Sequence, residues 1–359
     1  MMISPWALLL VGIENFVLIN TVVSALAFFL IGVVRVSGQF KTWHPLGQSR
    51  LYASALVFPT LFSGWLVLAS LVPVGWLNGP HWNTYHEESH SLHLLNALTS
   101  GFDPVLEYST LLFLLGATLT AGLAALRVYF RIGSLVRCLE LSGEPVPAEH
   151  ITLVKHTCHD YGLEVGLVHS RRPFSFVWGY FKSKLIVSTG LLNSLTREEL
   201  AALLEHEAAH HRRRDNLLKW LLTLCRYSSF AFPLTNILYG WWSHSVEIIC
   251  DEVAATRTHP LAVAEALVKI KRMASTFRMN PQAGQSAFFG DAAHHLEHRI
   301  HHLVGLLDSQ EPVPVVRLLR SWTGSALWLS LTFGTLLLMV FAVSPLAIHR
   351  LLEQILHQF

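Results

Sequence analysis

The chain has 359 residues, of which 52% are hydrophobic and only 14% charged, and its mean hydropathy is +0.42. Soluble domains carry about a quarter charged residues, so this balance points to lipid. A formal net charge of +2 with no long basic tract argues against nucleic acid as a partner. Cys138, Cys158, Cys225 and Cys250 form no CxxC pair and read as isolated thiols in a reducing compartment.

The N-terminal run MMISPWALLL lacks the basic flank and the small-residue cleavage site of a signal peptide, so it reads as the start of a retained span. Crossing a bilayer takes about 20 mostly apolar helical residues. Segments near Trp6–Val34, Leu51–Trp76, Leu106–Phe130 and Ser325–Ile348 qualify. Arg35, Lys41 and Arg50 follow the first span, and Glu87, Glu88 and Asp103 follow the second. Arg127, Arg131 and Arg137 follow the third, while Arg317 and Arg320 precede the last. The positive-inside rule then places the N-terminus outside and the segment 131–320 in the cytoplasm. The expected layout is a membrane domain at 1–130, a cytoplasmic domain at 131–320 and a last span with a short tail at 321–359. Glu14 inside the first span is either functional or interfacial.

Within 151–190, the runs ITLVK, LEVGLVHS, PFSFVWG and KLIVST predict short strands, divided by the turn Asp160-Tyr161-Gly162 and by Arg171–Pro173. Thr196-Arg197-Glu198-Glu199 is a capping box that opens a helix through LAALLEHEAAHHRRRD. This helix carries His206-Glu207-Ala208-Ala209-His210. Residues four apart share a helix face, so both imidazoles can reach one metal. Glu207 lies beside them and can take the proton of a water held by that metal.

A second copy of the pattern, His86-Glu87-Glu88-Ser89-His90, lies in the polar outer loop with His81 and His93. Its inner positions are polar, so it lacks the apolar back face by which Leu203, Leu204, Ala208 and Ala209 can pin the first copy.

A third ligand is available downstream in Glu247-Ile248-Ile249-Cys250-Asp251-Glu252. Glu247 can ligate, and Asp251 can accept the second ring N–H of a ligating histidine. Cys250 is either a competing ligand or a small buried helix residue. His244, one turn before Glu247, is either an oxyanion stabiliser or a surface histidine.

Between the ligand segments, 216–242 is apolar enough to span. A single crossing would part the ligands by about 30 Å, so the segment must double back or stay in the core of its own domain; a helical hairpin broken at Phe232-Pro233 and dipping against the membrane fits both constraints.

The run PFSFVWG…KLIVSTGLL…LTREELAALLEHEAAHHRRRDNL…FPL…EIICDE resembles the BlaR/MecR-type membrane metallopeptidases, gluzincins related to the HtpX-type and CAAX prenyl proteases. The resemblance covers about 127–305. It implies a mainly α membrane protein of about four transmembrane helices, with a cytoplasmic α+β gluzincin domain inserted between the third and fourth.

By position it makes His206, His210 and Glu247 ligands of Zn2+ and Glu207 the general base and acid. His295–Ile300 resembles the L-E-x-R-I segment near the end of such domains, and the histidines at 294, 295, 298, 301 and 302 read as a solvated helix face. The chain ends at Phe359, so the external penicillin-binding sensor domain of those receptors is expected to be lacking.

The expected activity is zinc-dependent endopeptidase cleavage of a cytoplasmic or membrane-proximal protein, in repressor-cleaving signal transduction or membrane-protein quality control. A substrate could add to the sheet edge at Lys184–Ser188. The expected partners are a protein or peptide substrate and the lipid bilayer, in a plasma membrane of bacterial type. The competing expectation is a non-proteolytic signalling or metal-sensing protein with a structural zinc site.

Overall fold

The computed structural model describes residues 5–37, 40, 43–71, 148–171, 173–179, 183–276 and 289–308. The expected third and fourth spans, the outer histidine loop and Cys138 lie outside the described residues.

Helix α1 (Pro5–Val36) is a single helix whose stretch Phe16–Val36 is long and apolar enough to cross a membrane. Among the described residues it is the one helix to meet that test. Helix α2 (Pro45–Leu71) covers most of the second expected span, carries Pro59 within it and packs along α1. Asn20, Ser24 and Ser63 are buried in this part of the molecule, where most polar groups must find protein partners.

The expected strand ITLVK is instead part of helix α3 (Ala148–Asp160). Its β-branched residues favour a strand locally, but Val154 and Cys158, four apart, are both buried against the sheet and the helix beyond it. Tertiary burial of a 3.6-residue face overrides the weak local preference. The expected turn follows, with Gly162 at φ +64°, a backbone region open to glycine at no steric cost.

The other three runs are strands: β1 (Glu164–Val168), β2 (Ser175–Trp178) and β3 (Lys184–Ser188). The order is β1-β3-β2, with β1 parallel and β2 antiparallel to β3. Lys184–Ser188 is therefore the central strand and cannot offer an edge to a substrate, which corrects the expectation. Its residues Leu185, Ile186 and Val187 are buried in succession, as suits a strand covered on both faces. The edge beside the candidate site belongs to β2.

A short helix α4 (Thr189–Ser194) leads to α5 (Arg197–Arg213), which begins with the expected capping box. Glu199 N–H donates to Thr196 Oγ1 at 3.3 Å, and Thr196 N–H donates to Glu199 Oε2 at 2.7 Å. The helix stops where Arg214 adopts φ 55°, ψ 38°, a left-handed cap.

Then α6 (Asp215–Ser228) and α7 (Thr235–Arg257) form an antiparallel hairpin, broken across Phe232-Pro233 as expected. Helices α8 (Pro260–Thr276) and α9 (Phe289–Asp308) close the described part.

Three apolar clusters organise these elements. One joins α1 and α2 to the hairpin through Tyr52, Leu56, Leu222, Leu238 and Trp242. The second joins α3 and the sheet to α4 and α5 through Leu185, Leu191, Leu200 and Leu204. The third joins α5, α7, α8 and α9 through Ala202, Ala254, Val263 and Leu303. Helix α5 contributes to all three, and α7 links the first to the third. The candidate ligands stand on these two helices.

Candidate metal centre

The tight packing of α5 against α7 brings Glu247 opposite the two histidines. Glu247 Oε2 lies 3.5 Å from His206 Nε2, and Oε1 lies 3.6 Å from His210 Nε2. One donor atom from each of the three residues falls within 4.8 Å of the others. Two imidazole nitrogens and a carboxylate converging in this way match the donor chemistry of a three-ligand zinc site with an open position. The ring planes of His206 and His210 stand at 82°, so their Nε2 atoms approach a common point from two directions.

Each imidazole is backed by a carboxylate. His206 Nδ1 lies 2.9 Å from Asp251 Oδ1, so the structure brings Asp251 to the ring it was expected to back. His210 Nδ1 donates to Asp215 Oδ2 at 2.9 Å. Asp215 had no role in the sequence reading, although a carboxylate five residues past His210 was a usable signal. Both contacts leave Nε2 facing Glu247, and carboxylate backing of this kind fixes the tautomer and raises ligand basicity.

Each backing carboxylate is in turn held by an arginine. Arg213 Nε donates to both Asp215 oxygens at 3.1 and 3.2 Å. Arg299 Nε and Nη2 donate to Asp251 at 2.6 and 2.7 Å, and Arg299 Nη1 lies 3.3 Å from Glu247 Oε2. Arg299 was also missed, although it is the arginine of the L-E-x-R-I-like segment.

The electrostatics follow from this packing. Burial raises the Glu247 carboxyl, but the facing His210 and His206 rings and Arg299 outweigh it and hold its pKa well below the usual range. Burial lowers His206, yet the Asp251 and Glu247 carboxylates leave it raised. Asp251 and Asp215 are both held below the usual carboxylate range against burial, by Arg299 with His206 and by Arg213 with His210.

Cys250 is fully buried, with Sγ 3.4 Å from His210 Nδ1 and 3.7 Å from Asp215 Oδ2. His210, Asp215 and Cys250 also cluster tightly enough to hold an ion. Arg213 already occupies the Asp215 carboxylate there, so the group reads as packing behind His210. Burial also raises the Cys250 thiol pKa, which disfavours the thiolate that metals bind.

Glu207 lines a cleft of about 320 Å³ together with His206, Glu247, Asp251 and Arg299. Ser175 of the edge strand β2 donates to Glu207 Oε1 at 2.8 Å. Phe174, Leu203, Val263, Leu267 and Ile270 supply apolar wall.

His244 faces elsewhere. Its Nε2 is 3.0 Å from His298 Nδ1, its ring centroid is 4.3 Å from that of His295, and it is not among the cleft-lining residues. Burial and the neighbouring His295, His298 and Arg299 hold it down to about 4. The α9 histidines are thus only partly a solvated face. His302 Nε2 lies 2.6 Å from Glu252 Oε1, while His298 and His301 are exposed.

The family model described as BlaR1 peptidase M56 matches residues 106–303, more than half of the chain. This chain belongs to the BlaR1 peptidase M56 family. It is therefore a member of a membrane-associated metallopeptidase family, as the resemblance implied.

Protease HtpX of Legionella pneumophila (strain Corby) is 32% identical over 112 residues, covering 29% of this chain and 40% of that relative. A Protease HtpX homolog of Verminephrobacter eiseniae (strain EF01-2) is 35% identical over 92 residues, covering 24% of this chain and 31% of the relative. A Protease HtpX homolog of Bordetella petrii (strain ATCC BAA-461 / DSM 12804 / CCUG 43448) is 44% identical over 57 residues, covering 15% and 20%. The chain thus spans well under half the length of these relatives. No solved structure gives a significant match.

Proposed function

We propose that this protein is an integral-membrane zinc endopeptidase, with His206, His210 and Glu247 as zinc ligands and Glu207 as general base and acid. The observation that carries this reading is the convergence of both Nε2 atoms on the Glu247 carboxylate, with His206, Glu247 and Glu207 lining one cleft. Zinc, when bound, supplies Lewis acidity, which polarises the scissile carbonyl and eases ionisation of water.

The chain's own residues do the rest. Glu207 takes the proton of the attacking water and returns it to the leaving amine. The Ser175 hydroxyl, donating to Oε1, holds that carboxylate in place and leaves Oε2 free to receive the proton. Asp251 and Asp215 lie against the Nδ1 sides of the two rings, so each Nε2 is turned toward Glu247, where His206, His210 and Glu247 would hold the metal.

The substrate is a protein segment lying extended against the start of β2 at Phe174 and Ser175, where backbone pairing supplies affinity, since Asn216 Nδ2 already donates to Val177 O at the other end of the strand. The Val263, Leu267 and Ile270 wall favours an apolar side chain next to the scissile bond. The topology is four spans with the N-terminus outside and the peptidase domain cytoplasmic, inserted between the third and fourth. The natural substrate is a cytoplasmic or membrane-proximal protein, in repressor-cleaving signalling or membrane-protein quality control.

The test compares purified wild type with Glu207→Gln in detergent, scoring proteolysis, self-cleavage included, and zinc content in both. The expected result is loss of cleavage with zinc retained. Equal cleavage by the two proteins would remove Glu207 from the mechanism.

A further inference from the structure

The hairpin between the two ligand segments does not fold away into the peptidase domain. It runs alongside α1 and α2, and contacts from Asn20, Thr60, Arg35 and His44 measure how far. At its tip, Asn20 Nδ2 donates to Ser228 O at 2.9 Å and to Ser229 Oγ at 3.1 Å. Thr60 Oγ1 of α2 lies 2.8 Å from Ser228 Oγ. Asn20 stands 16 residues before the end of α1, about 24 Å along a helix rising 1.5 Å per residue. Near the base, the Arg35 guanidinium lies 3.8 Å from the Trp241 ring centroid. Beyond it, His44 Nε2, in the connection from α1 to α2, is 3.2 Å from Glu252 Oε2.

The hairpin therefore covers most of the length of the apolar stretch Phe16–Val36, and Glu252, one turn past Glu247, is level with the connection that follows α1.

The outward side of the hairpin is apolar. Leu221, Leu224, Tyr227, Phe230, Leu234 and Ile237 are exposed there. Soluble surfaces rarely expose apolar side chains so contiguously. On α1, Leu18, Val22, Leu26, Phe29 and Val33 are likewise exposed and recur at helical spacing along the same height. Arg226, near the tip, lays its guanidinium over the Tyr239 and Tyr227 rings at 4.6 and 5.1 Å, which lets a charge sit at an apolar boundary. The buried polar groups at the tip pair with α1 and α2, so the outward surface is left almost wholly apolar.

We propose that the outer face of the α6–α7 hairpin is embedded in lipid beside α1, as a further membrane element between the zinc-ligand segments. The occupant is the bilayer because the exposed stripe continues that of α1 at the same depth. The cleft is then held directly against the cytoplasmic surface of the membrane, and a scissile segment meets it there. This inference rests on α1 spanning the membrane, and the experiment separates the two.

In full-length protein reconstituted in phosphatidylethanolamine–phosphatidylglycerol vesicles, the photo-crosslinker p-benzoylphenylalanine replaces Leu224 or Ile237 in the hairpin. It also replaces Phe29 in α1 and the exposed Glu198 in α5. Irradiation followed by mass spectrometry of the protein reads lipid adducts. Adducts are expected at Phe29, Leu224 and Ile237 and not at Glu198. Adducts at Phe29 alone would overturn the hairpin inference and leave the α1 span standing. Absence at Phe29 as well would remove the membrane reading itself. Cross-links from Leu224 and Ile237 to a second copy in place of lipid would make the face a protein interface and overturn the proposal.

Discussion

The two candidate histidine ligands are held by clamps of the same chemistry and very different construction. His210 is clamped locally: Asp215 and Arg213 lie within five residues of it, at the α5–α6 corner, and both are almost completely buried. His206 is clamped across the fold: Asp251 comes from α7, and the Arg299 that holds Asp251 comes from α9, 48 residues further on. A local clamp forms as soon as the corner forms. The distant clamp exists only when α9 has docked, so the geometry of His206 and Glu247 depends on the packing of the last described helix.

The largest expected effect tests the buried side of this comparison. Arg213→Ala leaves the Asp215 carboxylate buried without its cation, and breaking such a pair costs about 3–5 kcal/mol. Arg299→Ala should cost less stability, because the Arg299 side chain keeps 15% exposure whereas Arg213 keeps 1%. Denaturant unfolding of both variants checks the order. A larger loss for Arg299→Ala would mean that the distant clamp, not the corner, carries the stability of the centre.

Next in size are the backing carboxylates. Asp215→Asn and Asp251→Asn should each weaken zinc binding by about 10–100-fold, the usual cost of removing a partner behind a ligating histidine. Competition with a chelator reads the affinity directly. Arg299→Ala should reproduce part of the Asp251→Asn effect, while Arg213→Ala should act on zinc only through Asp215. If Arg299→Ala leaves affinity unchanged, His206 does not depend on α9.

Smaller again is Ser175→Ala. It removes one hydrogen bond to the Glu207 carboxylate, worth about 1.5–3 kcal/mol where a charged group is involved. The expected result is kcat reduced by roughly tenfold or more with zinc content unchanged, since 1.4 kcal/mol is a factor of ten.

The smallest effect concerns the start of α5, where Thr196→Ala should cost about 1 kcal/mol through loss of the cap. Burial raises the Glu199 carboxyl, but Lys269 and Thr196 leave its pKa below the ordinary value. A depressed carboxylate stabilises the fold above its unfolded pKa and loses that contribution as pH falls. Lys269→Met should therefore flatten the acid limb of thermal stability, whereas Thr196→Ala keeps the backbone N–H that donates to Glu199 Oε2 and should leave most of that limb in place.

Much of the site was readable because it is local. The capping box, the i, i+4 pair His206 and His210, and the pair Glu247 and Asp251 depend only on helical periodicity, and the structure brings all four metal-centre residues together. The doubling back of 216–242 was also legible, since ligands on both sides of an apolar run cannot be separated by a bilayer. Strand order was not legible: short strands with similar apolar content do not say which is central, and KLIVS proved to be the middle one. ITLVK looked like a strand and became a helix because its buried face packs against α5, which starts more than 35 residues further along the chain, as well as against the nearby sheet.

The sequence alone brought the proposed ligands and the proposed base onto shared helix faces, because spacing along a helix face is a property of the backbone. It also pointed to lipid, because its low share of charged residues and its apolar runs of about 20 residues suit a bilayer better than water. Only the tertiary structure decided who holds the ligands. Arg299 reaches Asp251 and Ser175 reaches Glu207 from segments 48 and 32 residues away. Contacts of that range depend on how helices and strands dock, which pairwise spacing does not encode.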